Sequence, residues 1–493
     1  MTGPEPKTHG RPRFAALPVL ALAAVKVAGT MAFAGGYGWH RDELYYLACS
    51  RHLALGYVDF PALTPFLAGL DQALFPGSLV GLRLLPALAG ATVVVIAAAI
   101  ARELGGGTAA QVLAAFAVLI APLYIGSNHL FQTVSFDQAV WALLCWLLAR
   151  VLAGGDARLW VLVGLIFGFG LETKYTVIGL GVAAAAGLLV TAARRQLLTP
   201  WPWLALAISL ALLAPNLWWQ ATHGWDSVRY TLSHHGNTDG PVAYWGQQIL
   251  LFGPLHIPLV FLGLRFLHHD ARFRALFWTA LAVELLFFAA GGKSYYPAPI
   301  YALLYAAGAV SLAPFLARRR LRWGLVAVPA VMSGLLLPIG LPVLPARAAA
   351  GSVVTTARKD FADEYGWPEL AGQVRDVQQR LPAGERGSAV ILAENYGEAG
   401  ALDLYGPPLS LPQVVSPHLT YYYWAPRRMA PQTVIAVGYS DDQLRPLFAD
   451  VEAAGSISNS YGLRNEEFGR PIFVCRHPRR PLWQDWPGLK RLD

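Results

Sequence analysis

Long apolar stretches separated by short polar turns fill the first 345 residues. Those long enough to cross about 30 Å of hydrocarbon run near 14–34, 82–101, 109–125, 136–153, 157–173, 175–192, 202–220, 250–265, 275–291, 296–315 and 323–345. They predict a mainly α membrane protein with a bundle of about eleven transmembrane helices over residues 1–345. From about residue 346 the pattern changes. Short apolar runs (SAVILA, TVIAVGY, RPIFVCR) predict strands, and WPELAGQVRDVQQRL and DDQLRPLFADVEAAG carry helical periodicity, so 346–493 reads as a small α/β domain.

Charge orders these segments. With the N-terminus on the cytoplasmic side, the basic clusters Arg102, Arg150 to Arg158, Arg194 and Arg195, Arg265 to Arg274, and Arg318, Arg319, Arg320 and Arg322 fall in loops of one side. The first long loop (35–81), a second (221–249) and the C-terminal domain then face outward, in a multi-pass protein of the cytoplasmic membrane. Lys7, Arg11 and Arg13 precede the run from Phe14 to about Ala34, which is too long for a signal-peptide core and reads as a retained first span. A hydrophobic fraction of 55% against 14% charged residues exceeds what a soluble core of 493 residues would bury, so lipid covers the remainder. The net charge of +8 is gathered in loops, which speaks for membrane topology and against nucleic-acid binding. Cys49, Cys145 and Cys475 have no paired spacing.

Candidate chemistry gathers at the outer ends of the spans. The first outer loop begins GWHRDELYYLACSRHLALGYVDFPALTPFLAGL, placing Asp42 and Glu43 beside aromatic and apolar sequence. A carboxylate at the membrane boundary suits a general base facing a lipid-borne substrate; equally, Asp42 suits the cap of the helix that follows. Asp137 in SFDQAVWALL, Lys174 in LETKYT, Lys293 and Tyr295 in GGKSYYPAPIY, and Arg83 stand at the same outer level. Such cations either hold a lipid phosphate or snorkel to the interface. His234 and His235 are adjacent, so their side chains diverge, and no Asp or Glu stands at ligand spacing; no residue is assigned to a metal. Walker, dinucleotide-binding and G-x-S-x-G motifs are absent, which removes support for ATP-driven transport and hydrolase chemistry.

The run DELYYLACSRHLALGYVDFPALTPFLA after a first span resembles the bacterial branch of glycosyltransferase family 39, related to protein O-mannosyltransferases and the lipid A aminoarabinose transferase. SFDQAVWALL, LETKYT, KSYYPAPIYALL, AENYGEAGALDLYG and YYYWAP extend the likeness along nearly the whole chain. The resemblance implies a GT-C fold and a metal-independent or loosely metal-associated transferase that takes a sugar from a polyprenyl phosphate on the outer face and inverts its anomeric centre. It implies Asp42 as base with Glu43 completing the pair, and Arg83, Asp137 and Lys174 toward the donor; Lys293 and Tyr295, read from their place at the outer span end, are added to that set. Where aminoarabinose transferases have a Lys before paired prolines, this chain has VDFPALTP, and the middle lumenal domain of the mannosyltransferases is absent. The acceptor is left open between lipid, glycan and protein. Glu394, Asn395, Tyr396 and Glu398 in AENYGEAG either line the acceptor side or form a strand-to-helix turn. Two other classes stay open: a lipid-linked sugar flippase or transporter, and a non-catalytic envelope assembly protein acting through its aromatic tail.

Overall fold

A computed structural model describes residues 11–233, 240–318 and 323–492. Lys7, His234, His235, Arg319, Arg320 and Arg322 lie outside the described residues. The N-terminal part is helical: α1 (Ala16–Met31), α2 (Arg41–Arg51), α3 (Leu63–Leu74), α4 (Leu79–Glu103), α5 (Thr108–Ile120), α6 (Pro122–Ser127), α7 (Thr133–Leu152), α8 (Leu159–Leu171), α9 (Val177–Leu189), α10 (Pro200–Thr222), α11 (Asp226–Ser233), α12 (Gly240–Phe252), α13 (Ile257–His269), α14 (Arg274–Ala289) and α15 (Tyr301–Leu312). Their starts follow from local chemistry. Ser78 caps α4 by accepting from Gly81 N at 3.0 Å, and α10 opens with Pro200, whose missing N–H costs nothing in a first turn.

The first ten apolar stretches are largely helical, but the helix lengths differ and the stretch 250–265 straddles a break at Gly253. Among the described residues, Leu79–Glu103, Thr133–Leu152, Pro200–Thr222 and Ala298–Leu316 are each long and apolar enough to cross a membrane, and two bent pairs raise the number to six. The bends are 110° between Val177–Leu189 and Ala192–Leu198, and 79° between Gly240–Phe252 and Pro254–His269. The 13 residues of α5 rise only about 20 Å, short of the hydrocarbon thickness. The eleventh stretch is broken into Trp323–Ala327, Val328–Leu335 and Leu337–Gly340, with prolines at 329 and 338. Small residues bring the bundle together: a Cβ on Gly263 would lie 2.2 Å from the Leu304 carbonyl, and one on Gly308 2.0 Å from that of Leu259. In lipid, where apolar surface has little to gain from hiding, such close backbone packing holds helices.

The C-terminal domain is a five-stranded sheet in the order β2-β1-β3-β5-β4, formed by β1 (Val390–Ala393), β2 (Val414–Val415), β3 (Thr433–Val437), β4 (Phe448–Ser456) and β5 (Pro471–Pro478). β1 runs parallel to β2 and β3, while β5 runs antiparallel to β3 and β4. The amphipathic helix Trp367–Arg380 buries Leu370, Val374 and Val377 against it. The expected strands are present, but DDQLRPLFADVEAAG departs from its helical periodicity. Only Asp441–Leu444 is helical, and Phe448–Ser456 is an edge strand whose outward positions are wet, so pairing with β5 prevails over local pattern. The domain rests on α2 through the helix Tyr396–Tyr405. A Cβ on Gly400 would stand 2.9 Å from Leu44 Cβ and 3.1 Å from its carbonyl oxygen, so only glycine permits this approach.

Candidate active site

Asp42 and Glu43 open α2, and the helix start decides which way each turns. His40 is the N-cap, accepting from Asp42 N at 3.2 Å, and Glu43 completes a capping box by accepting from His40 N at 2.9 Å. Asp42 is therefore not the cap, and its side chain remains one-third exposed.

Glu43 turns inward and is fully buried. Oε1 accepts from Arg83 Nε and Phe131 N, both at 2.9 Å, and Oε2 accepts from Arg83 Nη2 at 2.8 Å besides His40 N. These four bonds fill the capacity of a carboxylate. Arg83 has no exposed surface. It also donates to the carbonyls of Ala34 (2.9 Å) and Gly38 (2.8 Å) and to Glu364 Oε2 (3.1 Å). Glu364 belongs to the segment leading into the C-terminal domain, and His129 Nε2 lies 3.7 Å from its other oxygen. Burial alone would raise the Glu364 carboxyl, but Arg83 first and His129 next outweigh it and hold the group down at about 2. The result is a dry ionic knot that ties α2, α4 and the tail together.

Asp42 turns the other way. Its Oδ1 accepts from the Tyr396 hydroxyl at 2.8 Å, and Oδ2 lies 3.5 Å from Gln132 Nε2 and 3.9 Å from His40 Nδ1. Across from it, Lys174 stands over the rings of Tyr295 (4.8 Å) and Tyr296 (5.1 Å). Desolvation lowers the Lys174 ammonium to about 8, opposed by the charges of Asp137 and Asp42 and reinforced by that of Lys293. Asp42, Asp137, Lys174, Lys293 and Tyr295, drawn from four stretches of sequence, thus stand within electrostatic reach of one another.

The turn bearing Lys174 is pinned from three sides. Thr176 Oγ1 donates to Asp137 Oδ2 at 2.9 Å, Tyr175 OH donates to Asn216 Oδ1 at 2.9 Å, and Leu63 N of the outer loop donates to the Glu172 carbonyl at 2.9 Å. Asp137 Oδ1 accepts from Trp141 Nε1 at 3.0 Å one turn along α7. The Lys293 turn is held by Gln248 Nε2 donating to the Ser294 carbonyl at 2.6 Å, while Lys293 itself is exposed.

Of the four AENYGEAG residues, Tyr396 alone hydrogen-bonds to Asp42. Asn395 and Glu398 form the capping box of the helix Tyr396–Tyr405, and Glu394 pairs with Arg470 at 3.0 Å and with Arg491. Glu398 leaves no room beside it: a Cβ on Gly438, whose φ is +81°, would collide with its carboxyl at 2.1 Å.

Asp59 joins the site without having been singled out. It accepts from Tyr45 OH at 3.1 Å, and Tyr45 packs on Tyr396 with centroids 4.8 Å apart. Desolvation raises its carboxyl to about 8; the bond from Tyr45 opposes the rise, and Asp42 adds to it. The signal was a lone acid inside the apolar run VDFPALTP. Among the described residues, no group of three or more His, Cys, Asp or Glu is placed to hold a metal ion.

This fold and part of the site have counterparts among known proteins. Residues 59–219 match the family model described as dolichyl-phosphate-mannose-protein mannosyltransferase; Asp59, Arg83, Asp137 and Lys174 fall inside that segment, and Asp42 precedes it. The crystal structure of ArnT from Cupriavidus metallidurans in the apo state superposes with a TM-score of 0.62 at 15% identity, covering 93% of this chain and 97% of that one. The same protein bound to undecaprenyl phosphate gives 0.57 at 15% identity over the same shares. The Archaeoglobus fulgidus oligosaccharyltransferase, tethered with an acceptor peptide containing the NVT sequon, gives 0.51 at 12% identity, covering 81% of this chain and 64% of that one. No curated protein matches the sequence. The family match thus covers residues 59–219, and the architecture is ArnT-like over nearly the whole chain.

Proposed function

We propose that the protein moves a sugar from a polyprenyl phosphate to an acceptor on the outer face of the cytoplasmic membrane, with Asp42 as general base. The observation that carries this reading is the position of Asp42. It is a partly exposed carboxylate whose hydrogen bonds leave lone pairs free, oriented by Tyr396 and set opposite Lys174 and Lys293.

In this mechanism Asp42 takes the acceptor proton as its oxygen or nitrogen attacks the anomeric carbon. The bond to the lipid phosphate breaks with inversion, and the phosphate leaves as an anion toward Lys174 and Lys293, whose low-dielectric setting strengthens each contact. Tyr295 and Tyr296 fix the Lys174 ammonium, and Asp137 keeps it charged. The likeness to ArnT with undecaprenyl phosphate bound supports a polyprenyl phosphate as donor. Glu43 and Arg83 have their hydrogen bonds filled inside the protein, so their part is to hold α2 and the tail in place. The orientation follows the loop charges, with the N-terminus cytoplasmic and residues 346–493 outside.

The test is transfer of radiolabelled sugars from a panel of polyprenyl-phosphate donors by purified protein in detergent, with envelope lipid, glycan and protein fractions as acceptors. Label appearing in one fraction supports the reading. Transport of intact donor across vesicles without transfer in any fraction overturns it.

A further inference from the structure

A second carboxylate lies two turns beyond Tyr396 on the helix Tyr396–Tyr405, at Asp403, and it lines a cleft of about 300 Å³ where this helix meets the end of α2. That volume is at the small end of ligand pockets. His52, Gln413, Tyr421 and Trp424 also line it. Asp403 Oδ2 accepts from Tyr421 OH at 2.6 Å, whereas its other oxygen accepts from no described residue. Trp424 packs edge-on against Tyr421 (4.7 Å, 64°), and the exposed His52 stacks on it (4.5 Å, 19°). An aromatic wall beside a carboxylate and a primary amide suits a polyhydroxylated ring. Its C–H face packs on the aromatic surface, and its hydroxyls donate to carboxylate oxygens in charge-assisted bonds.

Packed rings lie between the cleft and Asp42. Tyr45 lies between Tyr396 (4.8 Å) and Tyr421 (6.0 Å, 21°); Tyr396 donates to Asp42, and Tyr421 donates to Asp403. At 1.5 Å per residue, Tyr396 and Asp403 are separated by about 10 Å along one helix face, the reach of a short saccharide.

We infer that this cleft is a carbohydrate subsite, holding a non-reacting sugar of a glycan acceptor through Trp424 and through Asp403, which Tyr421 orients. The inference deepens the transferase reading, on which its acceptor role rests, and makes the acceptor a glycan of at least two sugars. Sugar binding itself is measured without any transfer.

The experiment is saturation-transfer-difference NMR on the full chain in nanodiscs with methyl mannoside, mannobiose, maltose and chitobiose, comparing wild type, Asp403→Asn and Trp424→Ala, with undecaprenyl phosphate binding measured on the same samples. The expected result is a signal from at least one disaccharide that falls at least tenfold in both variants, while the lipid phosphate binds all three proteins alike. No sugar signal in wild type, or a signal unchanged in both variants, overturns the subsite. Failure of wild type to bind the lipid phosphate while the sugar signal stands counts against the donor reading alone. Asp403→Asn is nearly isosteric, so it carries the test should Trp424→Ala misfold.

Discussion

Asp42 and Glu43 are neighbours on one helix and end in opposite circumstances. Glu43 is dry, accepts four hydrogen bonds and is neutralised by Arg83; Asp42 is one-third exposed, held chiefly by one tyrosine hydroxyl, and faces lysines it does not touch. Successive side chains on a helix point about 100° apart, so one registers with the core and the next with the substrate side. A charge whose hydrogen bonds are complete is part of the framework, and one left incomplete is available for chemistry.

The largest effect expected is at the framework end. Arg83→Met leaves Glu43 and Glu364 buried without their partner, which costs about 3–5 kcal/mol and should abolish a folded, monodisperse protein in detergent chromatography. A folded Arg83→Met protein that has lost only donor affinity would reverse the assignment of the two regions.

Next is Lys174→Met, which removes a charged contact worth about 1.5–3 kcal/mol and so should weaken undecaprenyl phosphate binding roughly ten- to hundredfold, with melting temperature little changed. The same lysine sets a pH dependence. Its ammonium is lowered to about 8, so the charge is present below that pH and lost above it. The donor KM should therefore climb between pH 7.5 and 9.5 in wild type and stay flat in Lys174→Arg; a climb of equal size in both would assign the dependence to another group.

The smallest effect belongs to Asp59. Its carboxyl is raised to about 8, so its contribution to stability is complete below the unfolded value near 3.8 and is lost as pH rises through 8. Asp59→Asn should match wild type near pH 4 and melt about 2 °C higher at pH 9. Equal melting temperatures at both pH values would show that Asp59 is not held protonated by its surroundings.

Much of this was legible in the sequence, for physical reasons. Apolar runs of span length favour helices, because lipid offers backbone groups no partner, and the first ten stretches are largely helical. SAVILA, TVIAVGY and RPIFVCR read as strands because buried strands need continuous apolar residues. Phe448–Ser456 was hidden because an edge strand with a wet face carries little pattern of its own. Lone ionisable residues at span ends singled out Asp42, Asp137, Lys174 and Lys293, which the fold brings within electrostatic reach of one another. The division of labour between Asp42 and Glu43 was not readable, since it rests on Glu364 and His129, which reach Arg83 from 281 and 46 positions away. In AENYGEAG, Asn395 and Glu398 serve the turn, and Tyr396 hydrogen-bonds to Asp42.

The most direct test of the central claim is the transfer rate of Asp42→Asn against wild type, at saturating donor and matched melting temperature. The account predicts a fall of roughly 10²- to 10⁴-fold with undecaprenyl phosphate affinity unchanged, as expected for loss of a general base. Transfer at the wild-type rate would contradict it and remove Asp42 from the chemistry.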